Sequence, residues 1–116
     1  MQLEIGQEWR FAARPTDPDP RLTIVRFESS ASGEVVHISV RGVRILNPRV
    51  PAGAVSEVPH LPMSRAAVEQ RVTELVGRAE PSALFSEGYT EWQRADGGFF
   101  TVPVADCLTL AERALR

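Results

Sequence analysis

Two histidines (His37 and His60), one cysteine (Cys107) and fifteen Asp plus Glu are the side chains of this 116-residue chain that could ligate a metal or move protons. Their spacing fits no ligand motif. Structural zinc calls for Cys or His pairs at short intervals, and calcium for a dense run of oxygens with a glycine turn. His37 falls mid-strand and His60 in a proline-rich stretch, so a partly exposed, hydrogen-bonding His37 and a loop-anchoring His60 are expected in place of a metal pair. Asp17 and Asp19 of PTDPDP read as a solvated turn. Cys107 lies on an apolar helical stripe and is expected to be buried as a small hydrophobe, because a reactive thiol needs an electropositive, partly exposed setting. No nucleophile elbow or catalytic-cysteine signature occurs, and Gly97-Gly98 precedes a strand and lacks the lysine of a phosphate-binding loop. The expectation is a non-enzyme with no catalytic residue, no metal ligand and no cofactor, although nothing in a sequence prevents two distant carboxylates from meeting as a diffuse active site.

Two surfaces could bind a partner. The first is acidic and aromatic: Glu80, Phe85, Glu87, Tyr89, Glu91, Trp92 and Asp96 stand with only Arg94 as countercharge. Aromatics flanked by carboxylates suit a basic protein, since Trp and Tyr supply anchoring area and the acids speed encounter. Glu87, Tyr89, Glu91, Trp92 and Asp96 are therefore the candidate partner-binding residues, although Tyr89 and Trp92, at i and i+3, more often pack a helix on its own sheet. The second surface is basic, with Arg41, Arg44 and Arg49 bordering a strand and its exit and Arg10 and Arg14 on a neighbouring strand. It would suit a single nucleic-acid strand, but the stacking platform such sites use is missing. Residues 1–50 carry seven Arg and six acids, while residues 51–116 carry six Arg and nine acids, so neither half is a strong electrostatic magnet for nucleic acid. All thirteen basic residues are arginine, which a GC-rich genome explains more readily than selection for the guanidinium fork.

The elements that must hold these residues follow from periodicity. Trp9, Phe11 and Ala13 alternate with Glu8, Arg10 and Arg14 as a half-buried strand that ARPTDPDPR ends. LTIVRF (22–27) is apolar on both faces, ESSASGE turns the chain, and EVVHISV (34–40) completes a hairpin. Apolar parity changes after Gly42, which predicts a bulge or bend there. Residues 47–62, NPRVPAGAVSEVPHLP, hold four of the nine prolines and read as a long irregular crossing. Ser64 is placed to cap a helix over 65–76, with Met63 and Val68 as its hydrophobic staple and Gly77 as its end. Helices are also predicted near 86–95 and 103–115, with a short strand near 99–102 between them.

The segments IGQEWRFAARP, VVHISVRGVRILNP, PHLPMS and GYTEWQRADGGFFTVPVADCL together resemble a set of small bacterial proteins of unknown function. The resemblance implies one intact domain and no activity. The predicted class is α+β: a small curved antiparallel sheet or SH3-like barrel from the N-terminal half, packed by two to three helices from the C-terminal half. The chain is read as one domain over 1–116, strand-rich to 46, irregular over 47–63 and helical with one short strand over 64–116. Its opening MQLEIGQEWRF lacks the basic and apolar regions of a signal peptide, and no stretch reaches the ~20 apolar residues of a membrane span, so a cytoplasmic location is expected. The functional expectation is a non-catalytic protein-binding module, of the immunity type that blocks a toxin or effector. The alternatives are a small-barrel nucleic-acid-binding module and an enzyme with an unrecognised site.

Overall fold

The computed structural model describes residues 2–115. The strands β1 (Gln7–Phe11), β2 (Arg21–Ser30), β3 (Gly33–Leu46), β4 (Ala54–Ser64) and β5 (Val72–Arg78) form one open antiparallel sheet in the order β4-β3-β2-β1-β5. The helices are α1 (Arg65–Glu69), α2 (Phe85–Arg94) and α3 (Val104–Ala114). This is the α+β class with a curved antiparallel sheet; β4 and β5 do not pair, so the sheet is not closed into a barrel.

Period-two alternation divides the sheet into two unlike faces. One carries Leu22, Ile24, Val36, Ile38, Val40, Leu61 and Met63, and joins Ala67 and Val68 of α1 and Val104, Cys107 and Leu108 of α3 in a single apolar core. The other carries Thr23, Glu28, His37 and Ser39, and beneath α2 it is aromatic and polar. The hairpin of β2 and β3 forms as its sequence predicts, with Ser30 and Gly33 closing the turn. Gly42 also behaves as predicted: its φ is +73, the β3–β4 register shifts there, and a Cβ would lie 1.8 Å from the Asp19 carbonyl oxygen. Only glycine fits this bend.

Three predicted elements differ. The irregular crossing over 47–63 ends at residue 53, because 54–64 pairs with β3 as β4. Pro59 and Pro62 are tolerated there because β4 is an edge strand, where a missing N–H need cost no ladder bond. The helix over 65–76 lasts one turn: Ser64 caps it by accepting from the Ala67 N–H at 3.1 Å, but the chain then extends as β5. Val72, Thr73 and Val76 favour a strand, and β1 offers an edge to pair with, so tertiary pairing overrides the helical spacing. Gly77, read as a helix end, lies inside β5. The strand near 99–102 reduces to one parallel bridge between Met63 and Phe100. The helices near 86–95 and 103–115 are α2 and α3.

The PTDPDP turn is built on a buried carboxylate and is not simply solvated. Asp17 accepts from the Arg14 side chain and from the N–H groups of Arg14 and Arg44, tying the loop to β3. Burial opposes its charge, but these bonds outweigh burial and hold its pKa below the usual carboxylate value. No helix among the described residues is long and apolar enough to cross a membrane.

Candidate functional site

His37 and His60, 23 positions apart, meet under α2. Nδ1 of His37 lies 2.8 Å from Nε2 of His60, a contact made possible by the pairing of β3 with β4. His37 has no solvent exposure, so neither the partly exposed His37 nor the purely loop-anchoring His60 expected from sequence is what forms. Helix α2 lies directly on the pair. Trp92 and Tyr89 meet the His37 ring edge-on at centroid distances of 4.5 and 5.0 Å, and Phe85 meets His60 at 5.3 Å. Gly88 permits this approach, since a Cβ there would stand 2.8 Å from the His60 Cβ.

On its other side His37 faces Glu28, whose Oε1 lies 3.4 Å from Nε2 but off the line of a hydrogen bond, leaving Nε2 buried without a hydrogen-bond partner. Glu28 accepts from the Tyr89 hydroxyl and, at 3.0 Å, from Arg26 Nε. The Arg26 guanidinium also sits 5.0 Å over the Tyr89 ring. Burial disfavours the Glu28 charge, yet the bonds from Tyr89 and Arg26 prevail and its pKa falls below the usual value. Burial depresses both histidines, with His37 further lowered by Arg26 against the pull of Glu28, and His60 brought to about 4 by burial and its neighbour His37. Both rings are therefore neutral at pH 7. One tautomer suits the pair: His60 Nε2–H donates to His37 Nδ1, which leaves the His37 N–H on Nε2, near Glu28 but not hydrogen-bonded to it. Among the described residues no three or more His, Cys, Asp or Glu side chains are grouped to hold a metal ion.

Beside this cluster a cleft of about 600 Å³ opens between the β2–β3 turn and the end of α2. Glu28, Ser30, Ser32 and Val35 line one side, and Trp92, Asp96 and Phe99 the other. The C-terminal end of α2 adds its partial negative charge, and Asp96 projects from a left-handed backbone with φ +50. Trp92 is fixed by its indole N–H, which donates to the Gly98 carbonyl at 2.7 Å. Among the described residues no cationic side chain lines the cleft.

The candidate residues from sequence are thus divided. Trp92 and Asp96 share the cleft, while Tyr89 turns inward to Glu28 and is half-buried. Glu87 and Glu91 stand on the exposed side of α2, Glu91 paired with Arg94 at 3.0 Å. Phe85 is buried against His60. On the basic surface, Arg41 is drawn to Glu8 at 2.6 Å, Arg10 to Asp19 at 2.8 Å and Arg14 to Asp17 at 2.9 Å. Arg44 and Arg49 remain exposed, a thin basis for phosphate contacts. Cys107 is buried beside Met63, and burial with nearby Asp106 pushes its thiol up to about 11. Glu28, His37, His60 and Phe99 were not among the candidates; the available signal was Leu61 and Met63 alternating with His60 and Pro62, a strand pattern that would set His60 beside β3. No protein-family model, curated protein or solved structure matches the chain.

Proposed function

We propose that the protein is a non-catalytic binding module that takes a cationic side chain of a basic protein partner into the cleft between the β2–β3 turn and α2, in the manner of an immunity-type protein that occludes a toxin or effector. One observation carries this reading: a cavity with two carboxylates, a helix C-terminus and two aromatic walls, and no cation in its lining. A guanidinium there would stack on Trp92 or Phe99 while its N–H groups reach Asp96 and the hydroxyls of Ser30 and Ser32. Glu28, already held by Tyr89 and Arg26, serves as fixed background charge. The exposed acids Glu87 and Glu91 lie outside the cleft and would act at longer range, speeding the approach of a basic partner.

The test is a nuclear magnetic resonance titration with N-acetyl-arginine amide, read at the Trp92 indole N–H. A saturable shift in the millimolar range, abolished by Asp96→Arg and retained in Glu87→Arg/Glu91→Arg, supports the cleft. The absence of a saturable shift, or equal loss in both variants, rejects it.

A further inference from the structure

The three helices are attached to the sheet in different ways. Among the described residues, α1 and α3 supply Ala67, Val68, Val104, Cys107 and Leu108 to the apolar core, and α2 supplies none. Phe85 is the residue of α2 that is buried. The rest of its underside, Tyr89 and Trp92, rests on His37 and His60, with Tyr89 donating to Glu28. The segment carrying α2 is pinned on both sides. Before it, the Ser82 N–H bonds Ser39 Oγ and the Ser82 hydroxyl bonds Glu57, each at 3.0 Å. After it, the Phe100 N–H bonds the Pro62 carbonyl at 3.0 Å, and the Phe100 carbonyl accepts from the Ser64 N–H at 2.8 Å. Residues 83–99 thus form a flap that can lift while both anchors and the core stay in place.

The groups beneath that flap tolerate one added proton but not two. From β2, Glu28 and Arg26 face the pair, a carboxylate and a guanidinium that bond each other at 3.0 Å. From β3 and β4 come the two rings themselves, and from α2 come Phe85, Tyr89 and Trp92. Tyr89 stays a neutral donor, its phenol held above its usual value by burial and by Glu28. A single imidazolium shares its proton across the 2.8 Å contact of Nδ1 with Nε2, beside Glu28. A second sets two cations in direct contact where His37 has no solvent exposure and Glu28 is already drawn on by Tyr89 and Arg26. Like charges so close and away from water do not persist together.

We propose that His37 and His60 form a proton-operated latch: when both rings are protonated, residues 83–99 swing off the sheet with α2 while the apolar core remains. Docked, the rings resist protonation, His60 titrating at about 4 and His37 lowered by burial; lifted into water they titrate near the ordinary 6.5. Release therefore develops as pH falls from 6.5 towards 4. Two protons gained per event make it steep, about a hundredfold per pH unit against tenfold for one. Trp92 and Asp96 travel with the flap, so the cleft comes apart. Resting on the reading of that cleft as a cation site, the latch holds a basic partner at neutral pH and lets it go in acid.

The two tryptophans report on latch and core separately. Trp92 lies on the latch, whereas Trp9 lies in the core with its indole N–H on Gln7 Oε1 at 3.0 Å. Both indole resonances are followed by nuclear magnetic resonance, without ligand, from about pH 8 to about 4. The Trp92 signal is expected to move to the position of a free indole with a slope above one proton, while that of Trp9 stays. His60→Gln keeps a donor for His37 and gains no charge, so it holds Trp92 docked to lower pH; Glu28→Gln removes the compensating carboxylate and releases it at higher pH. Circular dichroism at neutral pH confirms that each variant is folded. Both indoles moving together, Trp92 unmoved down to about pH 4, or an unchanged profile in folded His60→Gln would overturn the latch. Failure of N-acetyl-arginine amide to bind at neutral pH would reject the cation site alone.

Discussion

The two faces of this sheet solve the same problem with different chemistry. Under α1 and α3 the strands present aliphatic side chains, and stability there rises with apolar area removed from water. Under α2 the strands present His37, Glu28 and Ser39, each needing a partner: His37 has His60, Glu28 has Tyr89 and Arg26, and Ser39 accepts from the Ser82 N–H at 3.0 Å. The first face tolerates any shape-conserving hydrophobe, whereas the second depends on directions and protonation states. Polar groups are costly to bury, and on this molecule they concentrate beside the cleft walled by Trp92 and Phe99 and lined by Glu28 and Asp96.

Removing volume from the apolar face breaks this comparison most severely. Leu108→Ala, at a residue 1% exposed in the centre of α3, is expected to cost about 2–5 kcal/mol, read as a lower denaturant midpoint at unchanged pH dependence. An unmoved midpoint would show that α3 does not close the core.

Acid singles out the other face. Unfolded histidine titrates near 6.5, while His60 in the fold titrates at about 4 and His37 is also lowered. As pH falls below 6.5 the unfolded chain takes up protons that the folded rings refuse, so stability is complete above 6.5 and declines down to about 4. The loss through His60 is on the order of 2–3 kcal/mol. Denaturation midpoints measured across this window should slope in the wild type and flatten in His60→Gln; equal slopes would mean that the pair is not buried in neutral form.

The smallest effect belongs to the outer side of α2. Reversing Glu87 and Glu91 to arginine is expected to change stability by less than about 0.5 kcal/mol, because both are exposed and the ion pair that is lost, Glu91–Arg94, lies on the surface. A melting temperature lowered by several degrees would place these acids in the fold instead of on a free surface.

Local patterns made much of the fold legible. The alternation of β1, the hairpin of β2 and β3, the Gly42 bend, the Ser64 cap and the stripes of α2 and α3 each depend on neighbours in sequence. β4 and β5 do not. Their prolines and helical spacing point elsewhere, and only pairing with β3 and β1 makes them strands. The site suffers the same blindness: once 47–62 reads as an irregular crossing, nothing places His60 beside His37, and Tyr89 and Trp92 lack the partners that turn them inward. Trp92 and Asp96 were legible as candidates because they lie four residues apart at a helix end that Asp96-Gly97-Gly98 announces.

The strand order also has a consequence for the chain as it emerges during synthesis. β2 follows β1, β3 follows β2 and β4 follows β3 as sheet neighbours, so each pairing closes soon after its second strand appears. β5 alone joins a distant partner, with Gln7 matched to Arg78. Closing that loop carries the larger chain-entropy cost, which places β1–β5 among the last pairings to form. Until then the open edge belongs to β1, with Trp9 and Phe11 at the margin of an unfinished sheet, and the nascent chain is most vulnerable to pairing with the wrong neighbour.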